Sequence, residues 1–122
     1  MQFSRCREHS AILPHMPADL RLLDDDERAL VGLVREFASQ EAAPAAPHYE
    51  QRSEDPAPLY SKLAELGLTG LPFPEELGGG GQSYSTYLLA VEELAYAYMA
   101  LAIGLSVHTL CGFAVDRFGT DT

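Results

Sequence analysis

The run LAYAYMALAIGLSVHTLCGFAV, residues 94–115, contains no Asp, Glu, Lys or Arg over 22 positions. A charge-free stretch of this length is long enough to cross a bilayer, and it also suits the central helix of a soluble bundle. Gly, Ser, His and Thr dilute the run, and its flanks carry no excess of positive charge, which favours the soluble interpretation. We therefore expect a long helix covered by its neighbours, with Leu101, Leu105 and His108 buried.

The residues N-terminal to this run form helical patterns. From Asp24 onward, apolar residues recur at spacings of three and four, and Asp24 with Glu27 resembles a capping box. Pro44 and Pro47 are expected to end this first helix because proline cannot continue a helix interior.

A second, shorter helix is expected after Pro56 and Pro58, with Gly67 placed as its C-terminal cap. Its apolar face would carry Leu59, Leu63 and Leu66. A third helix is predicted to begin near Ser83 or Ser85.

No segment alternates with the period of two that a strand requires. The sequence therefore predicts an all-α protein, a bundle of about four helices over residues 19–122. Residues 1–18 are expected to be a loose tail, with a short mitochondrial-type leader as the alternative. The C-terminal Thr120 and Asp121 resemble the start of a further helix, as if a larger protein would continue from there.

Composition limits the classes of partner. Of the 122 residues, 47% are hydrophobic and 21% charged, which is ordinary for a folded domain. The net charge is −10 and Lys62 is the single lysine, so the protein would repel nucleic acid. Cys6 lies in the polar tail and Cys111 in the apolar run, which argues against a disulfide framework and for a reducing, cytoplasmic location.

The stretch GLPFPEELGGGG, residues 70–81, connects the second and third predicted helices. Its prolines exclude a helix and its glycines permit positive φ, so we interpret it as a tight bend. A phosphate-binding loop would need a preceding strand, and a Walker-type loop a lysine after the glycines; neither is present.

Two pairs of carboxylates are candidates for acid–base chemistry, Glu75/Glu76 and Glu92/Glu93. Adjacent residues on a helix diverge by about 100° and cannot face one substrate atom together. We therefore expect solvated side chains and no catalytic residue. A metal site is also not expected, because His108 has no second histidine or carboxylate at i+3 or i+4 and Cys111, at i+3, is a poor site by itself.

Four stretches occur together: LPFPEELGGGGQSY, LLAVEELAY, LSVHTL and RFGTDT. In this order and spacing they resemble the N-terminal helical domain of the acyl-CoA dehydrogenases, from about Asp19 to Thr122. One departure is that Tyr96, Ala97 and Tyr98 follow Glu-Glu-Leu-Ala, where the family tends to have an arginine and a nearby acidic residue. An ion pair at that junction is therefore in doubt.

The resemblance implies part of a three-domain, usually tetrameric flavoenzyme of fatty acid metabolism. Such an enzyme removes two hydrogens from the α and β carbons of an acyl-CoA thioester, with FAD as hydride acceptor and electron-transfer flavoprotein or a similar acceptor downstream. The middle β domain would supply most flavin contacts, and the C-terminal domain commonly carries the catalytic glutamate. The chain alone would then bind no FAD and be inactive.

The resemblance also implies a substrate-binding role for His108, Cys111 and Gly112, which would face the acyl tail, with Gly112 leaving depth for it. From the residues alone, His108 is otherwise expected to be a core histidine hydrogen-bonded to a neighbour. Two alternatives to an enzyme fragment stay open at this stage: a non-catalytic helical interaction module derived from the same fold, and a membrane-anchored helical protein.

Overall fold

A computed structural model describes residues 22–120, and every regular element in that range is helical. The α-helices are α1 Asp25–Phe37, α2 Ala43–Arg52, α3 Ala57–Glu65, α4 Tyr84–Ala97 and α5 Met99–Phe118. A π-helical turn, Ala38–Ala42, joins α1 to α2 without a break, so these two form one rod and the described range contains four rods. The prediction of an all-α bundle of about four helices is confirmed.

Some predicted features lie outside the described residues. They are the tail at residues 1–18, Cys6, the proposed start of the domain at Asp19, and the helix start at Asp121.

The helix starts follow the local capping chemistry. The Glu27 amide donates to Asp24 Oδ1 at 2.8 Å, and the Asp24 amide donates to Glu27 Oε2 at 3.2 Å, which completes the predicted capping box. Ser83, rather than Ser85, caps α4 by accepting a hydrogen bond from the Thr86 amide at 3.1 Å.

Pro44 and Pro47 do not end the first helix, so that prediction was wrong. Both lie within α2, Pro44 in its first turn and Pro47 in its interior. The π-helical turn just before them shifts the hydrogen-bond register, with the Ala43 amide donating to Ala38 O. Proline lacks an N–H and crowds the preceding helical turn. The wider π-helical turn accommodates Pro44 and Pro47, so the rod continues past them.

The core lies between α1, α3, α4 and α5. Its fully buried leucines are Leu63, Leu68, Leu94, Leu101 and Leu105. Leu59 and Leu63 are buried, in agreement with the predicted apolar face, but Leu66 is 37% exposed because α3 ends at Glu65 and the chain turns away. Gly67 takes φ +76° just after this helix, as expected of a C-terminal cap.

The connector, residues 70–81, and the following Gln82 fold back through backbone hydrogen bonds. The amide of Gly80 donates to Gly70 O and that of Gln82 donates to Leu71 O, both at 3.0 Å. Gly78 and Gly81 have positive φ, as the bend interpretation required. The four glycines therefore form an ordered turn between α3 and α4.

Candidate functional site

An apolar groove runs between α4 and α5, with a volume of about 360 Å³. On α5 its wall repeats at helical spacing from Met99 to Leu110, a length of about 16 Å at 1.5 Å per residue. The lining residues are aliphatic, thioether or small: Val91, Ala95, Met99, Ala102, Ile103, Ser106, Val107 and Leu110. A surface of this kind fits an alkyl chain or another apolar helix.

Ser106 is the single polar residue among those eight, and its hydroxyl is satisfied within α5. Ser106 Oγ donates to Ala102 O at 2.9 Å, so the hydroxyl is turned back to the helix backbone. The groove lining itself contributes no charged group to a bound molecule.

His108, Cys111 and Gly112 lie on a different face of α5. None of them lines the groove, and the side chains of His108 and Cys111 are exposed. Leu101 and Leu105 are buried as predicted. The expectation that His108 is buried in the core was wrong, because His108 lies on the exposed side of α5. Their substrate-binding role remains a prediction.

Gly112 is covered by an aromatic ring rather than facing open space. A Cβ atom added at Gly112 would lie 2.4 Å from Cζ of Phe73, which comes from the connector. The same ring packs against Phe113, with ring centroids 5.1 Å apart. Residue 112 is therefore a notch that accommodates Phe73.

Of the four carboxylates considered for acid–base chemistry, Glu75, Glu76 and Glu92 are exposed as expected, and Glu93 is not. Arg35 of α1 donates to Glu93 from Nε at 3.0 Å and from Nη2 at 2.5 Å. These hydrogen bonds raise the pKa of Arg35 above its ordinary value, although partial burial acts in the opposite direction.

The Arg35–Glu93 pair was missed because nothing in the sequence distinguishes Glu93 from Glu92. The signal that could have found it is the helical register, since Glu93 is one residue from buried Leu94 and three from buried Ala90. The pair lies beside the π-helical turn and closes one side of a cleft of about 280 Å³. It joins α1 to α4 across the interface between these two helices.

The glycine run has no amide free to bind phosphate. The N–H groups of residues 78–81 donate, in order, to the carbonyl oxygens of Glu75, Pro74, Gly70 and Phe73 at 2.9–3.0 Å. A phosphate cradle needs such donors to point at the ligand. The glycine run therefore does not offer free amides to a pyrophosphate.

Within residues 22–120, no cluster of three or more His, Cys, Asp or Glu side chains could hold a metal ion. In that range one helix, α5, is long and apolar enough to cross a membrane by length and composition alone. A single helix of this kind is weak support for a membrane span, because core helices of soluble proteins pass the same test.

The groove, the connector and the α4–α5 pair occupy a region that is shared with known proteins. Residues 24–122 match the family described as the acyl-CoA dehydrogenase N-terminal domain. The chain belongs to this family.

Relatives of the chain have names that agree with the family. A probable acyl-CoA dehydrogenase of Bacillus subtilis is 44% identical over 100 residues, which are 81% of this chain and 26% of the relative. A short-chain specific acyl-CoA dehydrogenase of Clostridium acetobutylicum is 36% identical over 90 residues, 73% and 24% of the two chains. An acryloyl-CoA reductase (NADH) of Anaerotignum propionicum is 36% identical over 98 residues, 80% and 25%. The chain thus spans about a quarter of the length of these relatives.

Proposed function

We propose that this chain is the N-terminal part of a flavin-dependent acyl-CoA dehydrogenase and that its α4–α5 groove forms one wall of the pocket for the acyl chain. The observation that carries the proposal is the groove itself, which is apolar along about 16 Å of α5 at 1.5 Å per residue. An acyl chain has no hydrogen-bonding groups beyond its thioester, so an uncharged lining is what it requires.

The chemistry of the reaction would come from elsewhere. Among the described residues, none of those that line the groove is a carboxylate, and the amides of residues 78–81 all donate to backbone carbonyls, which supports the proposal that the base and the flavin site come from other domains. FAD, when bound by the complete enzyme, supplies the hydride acceptor. Alone, the chain is expected to be inactive and to bind no FAD, because hydride transfer needs flavin, substrate and base held together.

The remaining parts of the proposal follow the family. The substrate is an acyl-CoA, the assembly is a homo-oligomer completed by middle and C-terminal domains, and electrons leave through electron-transfer flavoprotein or a similar acceptor. A cytoplasmic location is proposed with them.

A hybrid enzyme tests the proposal. Residues 24–122 of this chain replace the matching segment of the Bacillus subtilis relative, with which the chain is 44% identical over 100 residues. We expect a flavin-loaded protein that oxidises acyl-CoA. A hybrid that holds FAD but oxidises no acyl-CoA of any length, while the parent does, would instead favour a non-catalytic interaction module.

Two tryptophan substitutions in the hybrid distinguish the two faces of α5. Val107→Trp fills the groove and is expected to lower kcat/KM for the longer acyl chains by about 10- to 200-fold or more, since one methylene that no longer fits an apolar pocket already has an effect of this size. Cys111→Trp adds the same ring to an exposed position outside the groove and is expected to leave the chain-length profile unchanged. The reverse result would assign the acyl tail to the face of His108, Cys111 and Gly112.

A further inference from the structure

The glycine-rich connector holds the backbone of Phe73 tightly. A Cβ atom at Gly79 would lie 2.2 Å from the carbonyl oxygen of Phe73 and 2.7 Å from its Cβ, so only glycine permits this approach. The Gly81 amide also donates to that carbonyl at 2.9 Å. Proline on either side, at residues 72 and 74, fixes φ at both neighbours of Phe73. The connector therefore fixes the backbone from which the Phe73 ring projects.

The ring of Phe73 is seated on the C-terminal half of α5, in the notch at Gly112. Phe113 lies beside it, and Tyr84 at the start of α4 packs on Phe113 with ring centroids 5.9 Å apart. Beyond Leu105, the single fully buried residue of α5 is Thr109. The contact with Phe73 is thus one of the few that pack this half of the helix against the rest of the fold.

Gly112 and the distal end of the groove lie on opposite sides of α5. Leu110, the last groove residue, is two positions before Gly112, which corresponds to a rotation of about 200° around the helix. A displacement of α5 toward the connector therefore widens the groove at Leu110, and a displacement away from the connector narrows it.

We propose that Phe73 is a positioning residue that sets the depth of the acyl groove at its Leu110 end by pressing on α5 through the Gly112 notch. The proposal rests on the proposed function, since it assigns the groove to the acyl chain. Phe73 does not line the groove, so it acts on substrate preference through the position of α5.

The proposal predicts opposite signs for two substitutions in the hybrid enzyme. Phe73→Ala removes the ring, lets α5 relax toward the connector and shifts the preference to longer acyl chains. Gly112→Ala forces a Cβ against the ring, pushes α5 toward the groove and shifts the preference to shorter chains. Each shift is expected to be about tenfold in the ratio of kcat/KM for a long to a short acyl-CoA, with kcat for the short substrate unchanged.

The double substitution separates an action through Phe73 from direct contact of residue 112 with substrate. Phe73→Leu with Gly112→Ala removes the ring atoms that the new Cβ would meet, so the chain-length profile should return toward that of the unmodified hybrid. Leu77→Ala, a truncation at an exposed apolar residue of the same connector, is the matched control and should leave the profile unaltered.

Hydrogen exchange of the 122-residue chain provides a second measurement. Phe73→Ala should speed exchange in residues 108–118 more than in α1, whereas Leu77→Ala should not.

The kinetic results separate the two proposals. If Phe73→Ala and Gly112→Ala shift the preferred acyl-chain length in the same direction, the positioning role is refuted and the proposed function stands. The same conclusion follows if neither shifts it while Val107→Trp still shortens the preferred acyl chain. If Val107→Trp is also without effect, the assignment of the groove to the acyl chain fails. Should Phe73→Ala lose its flavin, Phe73→Leu alone carries the same expected direction.

Discussion

Arg35 of α1 and Glu93 of α4 are 58 residues apart in sequence and are joined by two hydrogen bonds between guanidinium and carboxylate. The two side chains differ in exposure: Glu93 is 5% exposed and Arg35 is 36% exposed. An ion that loses its partner in a buried position cannot recover the hydration it lost on folding, whereas a partly exposed ion can. Removing Arg35 should therefore cost more stability than removing the charge of Glu93.

The first prediction follows from this asymmetry. Arg35→Met keeps the apolar stem but leaves the buried carboxylate without the guanidinium, and should lower the free energy of unfolding by about 3 kcal/mol. Glu93→Gln keeps the shape and an acceptor oxygen, and should cost about 1 kcal/mol because water reaches the guanidinium. Chemical denaturation measures both values. Equal costs, or the reverse order, would contradict the assignment.

The second prediction concerns two adjacent buried residues of α4. Thr86 Oγ1 donates to Glu27 Oε1 at 2.7 Å, linking the α4 start to the α1 capping box. The Tyr87 hydroxyl is buried and finds no hydrogen-bond partner among the described residues. Thr86→Val should therefore destabilise by about 1–2 kcal/mol, whereas Tyr87→Phe should be neutral or slightly stabilising. Denaturation midpoints that fall by the same amount in both variants would be inconsistent with this arrangement.

Capping signals and the presence of helices could be predicted from the sequence because they are local. The Asp24–Glu27 box, the Ser83 cap and the Gly67 turn each depend on residues within a few positions of one another. The fold class followed from these signals and from the absence of period-two alternation.

The site could not be predicted because it depends on helix rotation and on contacts distant in sequence. In a run that is apolar on every side, periodicity does not specify which face is buried, so His108 could not be distinguished from Leu105. The seat of Phe73 on Gly112 joins a connector to a helix 39 positions later, and no local pattern marks it. The continuation of the rod through Pro44 likewise required the π-helical turn, which has no simple sequence signature.

The third prediction compares two helical glycines. A Cβ atom at Gly104 of α5 would lie 1.6 Å from the Tyr60 hydroxyl oxygen, so Gly104→Ala must displace that ring and should destabilise by about 1–3 kcal/mol. Gly32 of α1 has no atom within 4 Å of its built Cβ, and Gly32→Ala should stabilise by about 0.5–1 kcal/mol through helix propensity. Thermal unfolding reports both signs. In the Gly104→Ala background, Tyr60→Phe should recover only part of the loss, since Cζ would still be 2.5 Å away.

The fourth prediction concerns alkaline pH. Burial raises the pKa of Tyr98, the residue between α4 and α5, and nearby Glu50 and Tyr49 raise it further. In the unfolded chain a tyrosine has a pKa of about 10, so the folded state retains a proton that the unfolded state releases. This contribution to stability is complete below pH about 10 and is lost as the pH rises through the folded-state pKa.

Tyr98→Phe removes that titration. Wild type should lose stability more steeply than Tyr98→Phe as the pH rises above about 10, and the two should run parallel below about pH 9. Denaturant titrations at a series of pH values measure the difference. Parallel curves over the whole range would show that the Tyr98 phenol does not titrate with unfolding.

The fifth prediction is that the isolated chain self-associates through the groove face of α5. Ile103, Val107 and Leu110 are each more than half exposed there, and contiguous apolar surface of this kind drives association. Val107→Lys places a charge in this apolar surface and should shift sedimentation toward monomer.

Leu22→Lys is the matched control, since Leu22 is 85% exposed but lies outside the groove. Both substitutions change the net charge of −10 by the same amount, so they weaken the electrostatic repulsion between chains equally. A gain in monomer seen only with Val107→Lys therefore assigns the contact to the groove. A chain that sediments as a monomer without any substitution would show that the groove face does not drive association.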